Sequence, residues 1–359
     1  MDNDRFIFTK SNTKLIKGIT IILMLWHHLF AYNSIDSYIS MTPFLLNGHT
    51  VEQIIGLFGK ICVTTYFFLS GYGIACVQFK VGIFKLSDAL RKIKGLYINY
   101  WIVFMIFIPI GIWLGKVRVN IVELLMNFIG ISSTLNYEWW FFRIYVVLIL
   151  LAPFIFKFKN IKKLHLYSLL IIISAYLLRM IIRSFAIIQN VENTEYFFNI
   201  YFFMLGQYPF VLGYIFKKKE IFEKIYNALK NIKKVFIFMA AIGIILIKFY
   251  VSAGMLGDTI LTPIYIILCV IIFNGKITSK VLCYIGENST NMWLVHTFYS
   301  KYYFENFIYA PKYSVIILLI LLVLSLITSV IIRYVLKYAV YRKTYFSNKN
   351  QVSNQVTHH

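Results

Sequence analysis

The chain has 359 residues, 60% hydrophobic and 14% charged, with a mean hydropathy of +0.73. That composition excludes a soluble globular or disordered protein and points to an integral membrane protein. The net charge of +22 would suit nucleic acid, but no basic patch interleaved with stacking aromatics lies on a soluble surface, so no nucleic-acid partner is expected.

Apolar runs long enough to cross a bilayer, about 20 residues at ~1.5 Å each, fall near residues 15–33, 54–78, 95–114, 139–156, 164–183, 198–216, 235–251, 259–274, 281–304 and 314–335. They predict an all-α fold, a polytopic membrane bundle of about ten transmembrane helices. The cations alternate between its sides. Lys10, Lys14 and Lys17 precede the first span; Lys80, Lys85, Arg91, Lys92 and Lys94 follow the second; Lys157, Lys162 and Lys163 follow the fourth; Lys217, Lys218 and Lys219 follow the sixth; Lys276 and Lys280 follow the eighth; Arg333 and Lys337 close the last. By the positive-inside rule that face is cytoplasmic, as are both termini. One transmembrane domain is expected over 1–343, with a short polar, disordered cytoplasmic tail over 344–359. Residues 119–131 are too short to span and predict an amphipathic or re-entrant segment on the outer face.

The first span holds two adjacent histidines, His27 and His28, in KGITIILMLWHHLF. His28 lies 11 residues beyond Lys17, about 16 Å along a helix, which predicts Lys17 at the cytoplasmic surface and His28 near the bilayer midplane. An imidazole there can stay neutral and accept a proton, which suits a general base. His27 points about 100° away and reads as structural, or as orienting its neighbour. His296 on the ninth span is either a substrate-pocket donor or a packing group. Ser289, Thr290 and Asn291, placed near the inner end of that helix, read as caps or interhelical hydrogen-bonders.

Ser70, in the second-span tract TYFFLSGYGI, marks a close helix approach and lacks the G-x-S-x-G setting of a nucleophile. Glu138, Trp139, Trp140 and Arg143 open the fourth span. The tryptophans read as members of the interfacial aromatic belt. Glu138 and Arg143 could line an outward-facing polar cavity with Lys60, Arg179 and Arg183, or snorkel to the interface. Cys62, Cys76, Cys269 and Cys283 have no C-x-x-C spacing, so neither a metal site nor a disulfide framework is expected.

Four of these stretches, in order, resemble the integral membrane acyltransferase family 3: KGITIILMLWHHLF, with Lys17 and His28 at the basic and histidine positions; TYFFLSGYGI; EWWFFRIYVVLILLAP, residues 138–153; and STNMWLVHTF, residues 289–298. Lysine stands where the family usually carries arginine, and no R-x-x-R element follows Ser70-Gly71. The resemblance implies a ten-span enzyme that moves an acetyl or other short acyl group from cytoplasmic acyl-CoA to a hydroxyl of a cell-surface or lipid-linked glycan in the bacterial plasma membrane. His28 would be catalytic. His27, His296, Ser70, Glu138, Trp139 and Arg143 are supporting candidates, and Lys17, Lys80, Arg91 and Lys92 would hold the donor phosphates. Acetyl-CoA is then a substrate, and no permanently bound cofactor is implied. The alternative from another class is a flippase for a lipid-linked sugar, with the same histidines lining a passage.

Overall fold

A computed structural model describes residues 6–33, 37–42, 45–158, 160–185, 189–251 and 253–356, with side chains apart from those of 189, 193 and 339–356. Among the described residues the secondary structure is helical, with two isolated β-bridges. In chain order the helices are α1 (Lys10–Phe30), α2 (Val51–Gly59), α3 (Cys62–Val81), α4 (Leu86–Trp113), α5 (Ile121–Phe128), α6 (Trp140–Ile155), α7 (Ile161–Ser184), α8 (Glu195–Lys218), α9 (Ile221–Leu229), α10 (Lys234–Tyr250), α11 (Gly254–Ile272), α12 (Lys276–Thr297), α13 (Glu305–Tyr309) and α14 (Ser314–Val356).

Each apolar segment of the sequence coincides with a long helix, the second being broken into α2 and α3 at Lys60 and Ile61. Length and composition alone make 6 spans able to cross a membrane: Val51–Val81, Leu86–Trp113, Tyr137–Ile155, Ile161–Ser184, Gly254–Ile272 and Ser314–Tyr338. α1, α8, α10 and α12 fall outside that set. α10 has 17 residues, and α1 and α12 carry lysine, histidine, asparagine and serine that lower their mean hydropathy. Several of those polar groups turn into the bundle rather than toward its surface. The eight-residue α5 occupies the 119–131 segment and leaves Ile121, Val122, Leu125 and Met126 exposed, as an interfacial helix would. The backbone of α14 stays helical through Val356, into the segment expected to be irregular, because a helix already nucleated in an apolar span propagates at little cost. The side chains of 344–356 and residues 357–359 lie outside the described residues.

α1 starts at a capping box. Thr9 Oγ1 accepts from the Asn12 amide at 3.3 Å and Asn12 Oδ1 accepts from the Thr9 amide at 2.8 Å. It then packs parallel to α12. Ser11 meets Cys283, Lys14 pairs with Glu287, and about four turns further along α1 His28 meets His296. Two glycines let the backbones touch. A Cβ on Gly18 would be driven into the Leu282 carbonyl, and one on Gly286 into the Lys14 carbonyl. α3 and α8 meet in the same way, with Gly71 against the Phe210 carbonyl and Gly213 against the Phe68 carbonyl.

At the end of the bundle opposite Lys17, the described part of the loop between α1 and α2 is held by hydrogen bonds. Fully buried Glu52 accepts from Ser40 Oγ at 2.9 Å, the Met41 amide at 2.6 Å and Ser314 Oγ at 3.0 Å, tying that loop to the start of α14. Trp26 Nε1 donates to the Glu52 carbonyl at 2.9 Å and fixes the same loop to α1.

Gly286→Ala is expected to lower the thermal unfolding midpoint of the detergent-solubilised protein, since overpacking costs about 1–3 kcal/mol. Gly243→Ala in α10, where nothing lies within 4 Å of the added carbon, is expected to leave the midpoint unchanged or slightly raised. Equal midpoints for the two variants would contradict the close-contact reading.

Candidate active site

A cavity of about 1450 Å³ lies between α1, α3, α4, α6, α12 and α14. Pockets for one small ligand commonly occupy about 300–1,000 Å³, so this one has room for two reactants. Toward the lysine-rich ends of the helices it is lined by Lys17, Lys92, Glu287, Arg333 and Lys337; toward the opposite ends, by His28, Glu138, Tyr137, Tyr32 and Lys301.

At the second end three ionisable side chains from distant parts of the chain meet. His296 Nδ1 lies 2.7 Å from the Trp293 carbonyl, which can only accept, so this nitrogen carries the hydrogen. His296 is fully buried, and a second proton there would leave an unpaired charge, so its Nε2 is a lone pair. That lone pair lies 3.1 Å from His28 Nδ1, which therefore donates. The network assigns the tautomer of His28: Nε2 is its basic nitrogen, 3.1 Å from Glu138 Oε2. One proton joins Nε2 and the carboxylate when the pair is loaded, and an imidazolium formed there is stabilised by the facing charge. His296 thus acts on His28 as an orienting acceptor, and Glu138 as a counter-ion.

Glu138 reaches this position because the turn that carries it is bolted to the end of α12. The turn Tyr137–Trp139 is a single 3-10 turn capped by Asn136, whose Oδ1 accepts from the Glu138 amide at 3.1 Å. Asn136 Nδ2 donates to Thr297 Oγ1 at 2.9 Å, one residue beyond His296. Trp139 Nε1 donates to the Leu294 carbonyl at 3.1 Å, and the Tyr137 amide to the Tyr302 hydroxyl at 2.9 Å. Tyr302 ends the π-helical turn Phe298–Tyr302, which also carries Lys301, a cation whose field reaches Glu138.

The other residues singled out in the sequence divide between cavity and scaffold. His27 turns away from His28 and pairs through Nδ1 with the Gly56 carbonyl at 2.7 Å, joining α1 to α2. Ser70 lines the cavity, donating to the Tyr66 carbonyl at 2.8 Å and lying 3.5 Å from the Tyr145 hydroxyl. The charges of Lys92 and Lys17 act on the same hydroxyl, and Lys17, Ser70, Lys92 and Tyr145 together line one polar part of the cavity. Trp139 is 1% exposed and belongs to the packed core with Tyr100 and Phe298, not to an interfacial belt, because its indole N–H is satisfied inside the protein. Trp140, its neighbour, does line the cavity. Arg143 is also scaffold. It donates to the Ile131 carbonyl at 2.6 Å and to Asn199 at 2.8 Å and pairs with Glu195. Arg183 pairs with Glu192 outside the cavity, whereas Lys60 and Arg179 line it. In the turn between α7 and α8, Arg183 and then Arg179 hold the Glu192 carboxyl down to about 2.

Lys80 and Arg91 are exposed and do not line the cavity; Arg91 lies 3.9 Å from Asp88 on its own helix. α1 begins at Lys10, seven residues before Lys17, and His28 is two residues from its end. Ser289, Thr290 and Asn291 likewise fall in the body of α12, which starts earlier than its apolar portion. Lys301, Tyr145 and Tyr137 were not marked by any local pattern; only the tertiary contacts bring them to the site.

The sequence profile of the acyltransferase domain of acyltransferase family 3 matches residues 12–334. The chain belongs to this family. Membership and the apolar spans together make it a multi-pass membrane acyltransferase. No curated protein and no solved structure matches the chain.

Glu138→Gln is expected to lower acyl transfer at least about 100-fold, as loss of one electrostatic stabiliser of a developing charge does, with an unchanged unfolding midpoint. His27→Ala is expected to show the reverse, a midpoint lowered by the loss of about 1 kcal/mol with turnover retained. Rates of transfer set beside melting curves separate the two. Loss of turnover in His27→Ala with retention in Glu138→Gln would invert the assignment.

Proposed function

We propose that the protein transfers a short acyl group, acetyl foremost, from cytoplasmic acyl-CoA to a hydroxyl of a cell-surface or lipid-linked glycan. The observation that carries this reading is the contact of His28 with both Glu138 and His296 in a cavity whose other end gathers the cations Lys17 and Lys92. In this reading all ten long helices cross the plasma membrane of a bacterium with both termini in the cytoplasm, so the cationic end of the cavity faces the donor pool.

The two ends of coenzyme A suit the two ends of the cavity. Its phosphates need cations, which Lys17 and Lys92 supply, while its thioester must reach the base. Eleven residues of helix separate Lys17 from His28, about 16 Å at the helical rise. The pantetheine arm has about thirteen bonds between sulfur and phosphorus, and three bonds extend about 3.5 Å, giving about 15 Å. A donor with phosphates at Lys17 thus presents its acyl carbon beside His28.

The reaction then needs one proton transferred twice. His28 Nε2 takes the proton of the acceptor hydroxyl while that oxygen bonds to the acyl carbon. The carbon–sulfur bond breaks, and the thiolate that leaves receives the proton from the imidazolium. Glu138 stabilises the cation between the two steps, and His296 keeps Nδ1–H occupied so that Nε2 remains the working nitrogen. No covalent acyl-enzyme is required.

The test uses the protein in lipid vesicles with radiolabelled acetyl-CoA and cell-envelope glycan. Label is expected on the glycan with the unaltered protein, and at least about 100-fold less with His28→Ala. Equal labelling by His28→Ala would remove His28 from its role. If label never moves while lipid-linked sugar crosses the vesicle, the protein is a flippase instead.

A further inference from the structure

The cationic end of the cavity contains a feature that phosphate binding near Lys17 does not use. Val330, Arg333, Tyr334 and Lys337 of α14 all line it, at i, i+3, i+4 and i+7 on one face of the helix. Ile331, Val335 and Tyr338, on the other face, are exposed apolar or aromatic groups of the kind that meet lipid. Basic and aromatic residues near helix ends often anchor a span at the membrane interface. Here that anchoring face and the face carrying Arg333, Tyr334 and Lys337 are different faces.

The charges on the cavity face are also specific. Arg333 is engaged by Glu287 at 3.6 Å, and Glu287 is shared with Lys14. Lys337 has no acidic partner among the described residues, and Tyr334 is 72% exposed, with its ring free to stack. Helix registry places this group along the cavity. Ser329 of α14 donates to Asn288 of α12, at 3.1 Å to its carbonyl and 3.0 Å to Oδ1, so the two residues share a level. His296 is eight residues from that level in one direction, about 12 Å, and Tyr334 is five residues in the other, about 7.5 Å. Tyr334 therefore lies about 20 Å from His296 along the bundle, beyond the reach of the pantetheine arm, with Lys337 one turn further.

We propose that this face of α14 is the nucleotide subsite of the donor: Tyr334 stacks on the adenine and Lys337, flanked by Arg333, binds the ribose phosphate. The inference rests on the acyl-CoA reading above and deepens it, since it assigns donor selectivity to α14. A flat π-system stacks on a purine with little regard to the thioester's identity, and a lysine ammonium suits a phosphate monoester. The subsite makes the enzyme select coenzyme A thioesters over the same acyl group on pantetheine alone, while leaving the acyl group itself unread.

Binding of coenzyme A and of pantetheine to the purified full-length protein, measured by titration calorimetry, tests this without an acceptor. The unaltered protein is expected to bind coenzyme A at least about 100-fold more tightly than pantetheine. Tyr334→Ala and Lys337→Ala are each expected to weaken coenzyme A binding about tenfold, so that the preference over pantetheine falls by that factor. Tyr334→Phe, which keeps the ring, is expected to keep the preference. If both ligands weaken in parallel, or the variants bind coenzyme A as the unaltered protein does, α14 is not the nucleotide subsite although the donor reading stands. If the unaltered protein binds neither ligand, the donor reading falls and this inference with it.

Discussion

The parallel contact of α1 with α12 requires two positions without side chains. Gly18 and Gly286 allow one backbone to lie against the other, and no larger residue fits at either without moving a carbonyl. That contact sets the register of the two helices along their whole length. It pairs Lys14 with Glu287 at one end and His28 with His296 at the other. Helix backbones are stiff, so a displacement at the crossing would be carried to the histidines. The His28–His296 contact at the end of α1 thus depends on packing some 15 Å away, which is a rise of about ten residues.

The third member of the site is positioned by a different device. Glu138 lies in a short turn rather than on a long helix, and such a turn has little stability of its own. It is held by Asn136 against Thr297, by the Trp139 indole against the Leu294 carbonyl and by Tyr302 on the Tyr137 amide. All three anchors belong to α12 or the π-helical turn that follows it. α12 therefore presents His296 and also fixes the partner that faces His28 from the other side. Inside a low-dielectric bundle, polar groups satisfied in this way resist rearrangement, because each would otherwise be left without a partner.

What could be read from the sequence follows from the range of the physics involved. Hydrophobicity over twenty residues is a local property, and so the positions of the long helices were legible. The spacing of Lys17 and His28 was legible because a helix is a ruler. The start of α1 was less legible, because the polar residues Lys10–Lys14 extend the helix ahead of its apolar run and hydropathy does not count them. The sign of a charge indicates a side of the membrane but not a face of a helix, which is why Lys80 and Arg91 could be grouped with Lys92 although only Lys92 lines the cavity. Trp139 and Arg143 read as interfacial from their place at a span's end, yet both are spent on internal hydrogen bonds. The meeting of Glu138 with His28 and His296 joins residues more than a hundred positions apart, and no local pattern encodes it.

The central claim is that His28, Glu138 and His296 work as one unit on one proton. A double-mutant cycle on kcat/KM for acetyl transfer, with Glu138→Gln, His296→Asn and the two combined, measures this directly. Groups that act as a unit lose their function together, so the double variant is predicted to be no slower than the slower single variant. Losses that multiply in the double variant would show independent contributions and contradict the account.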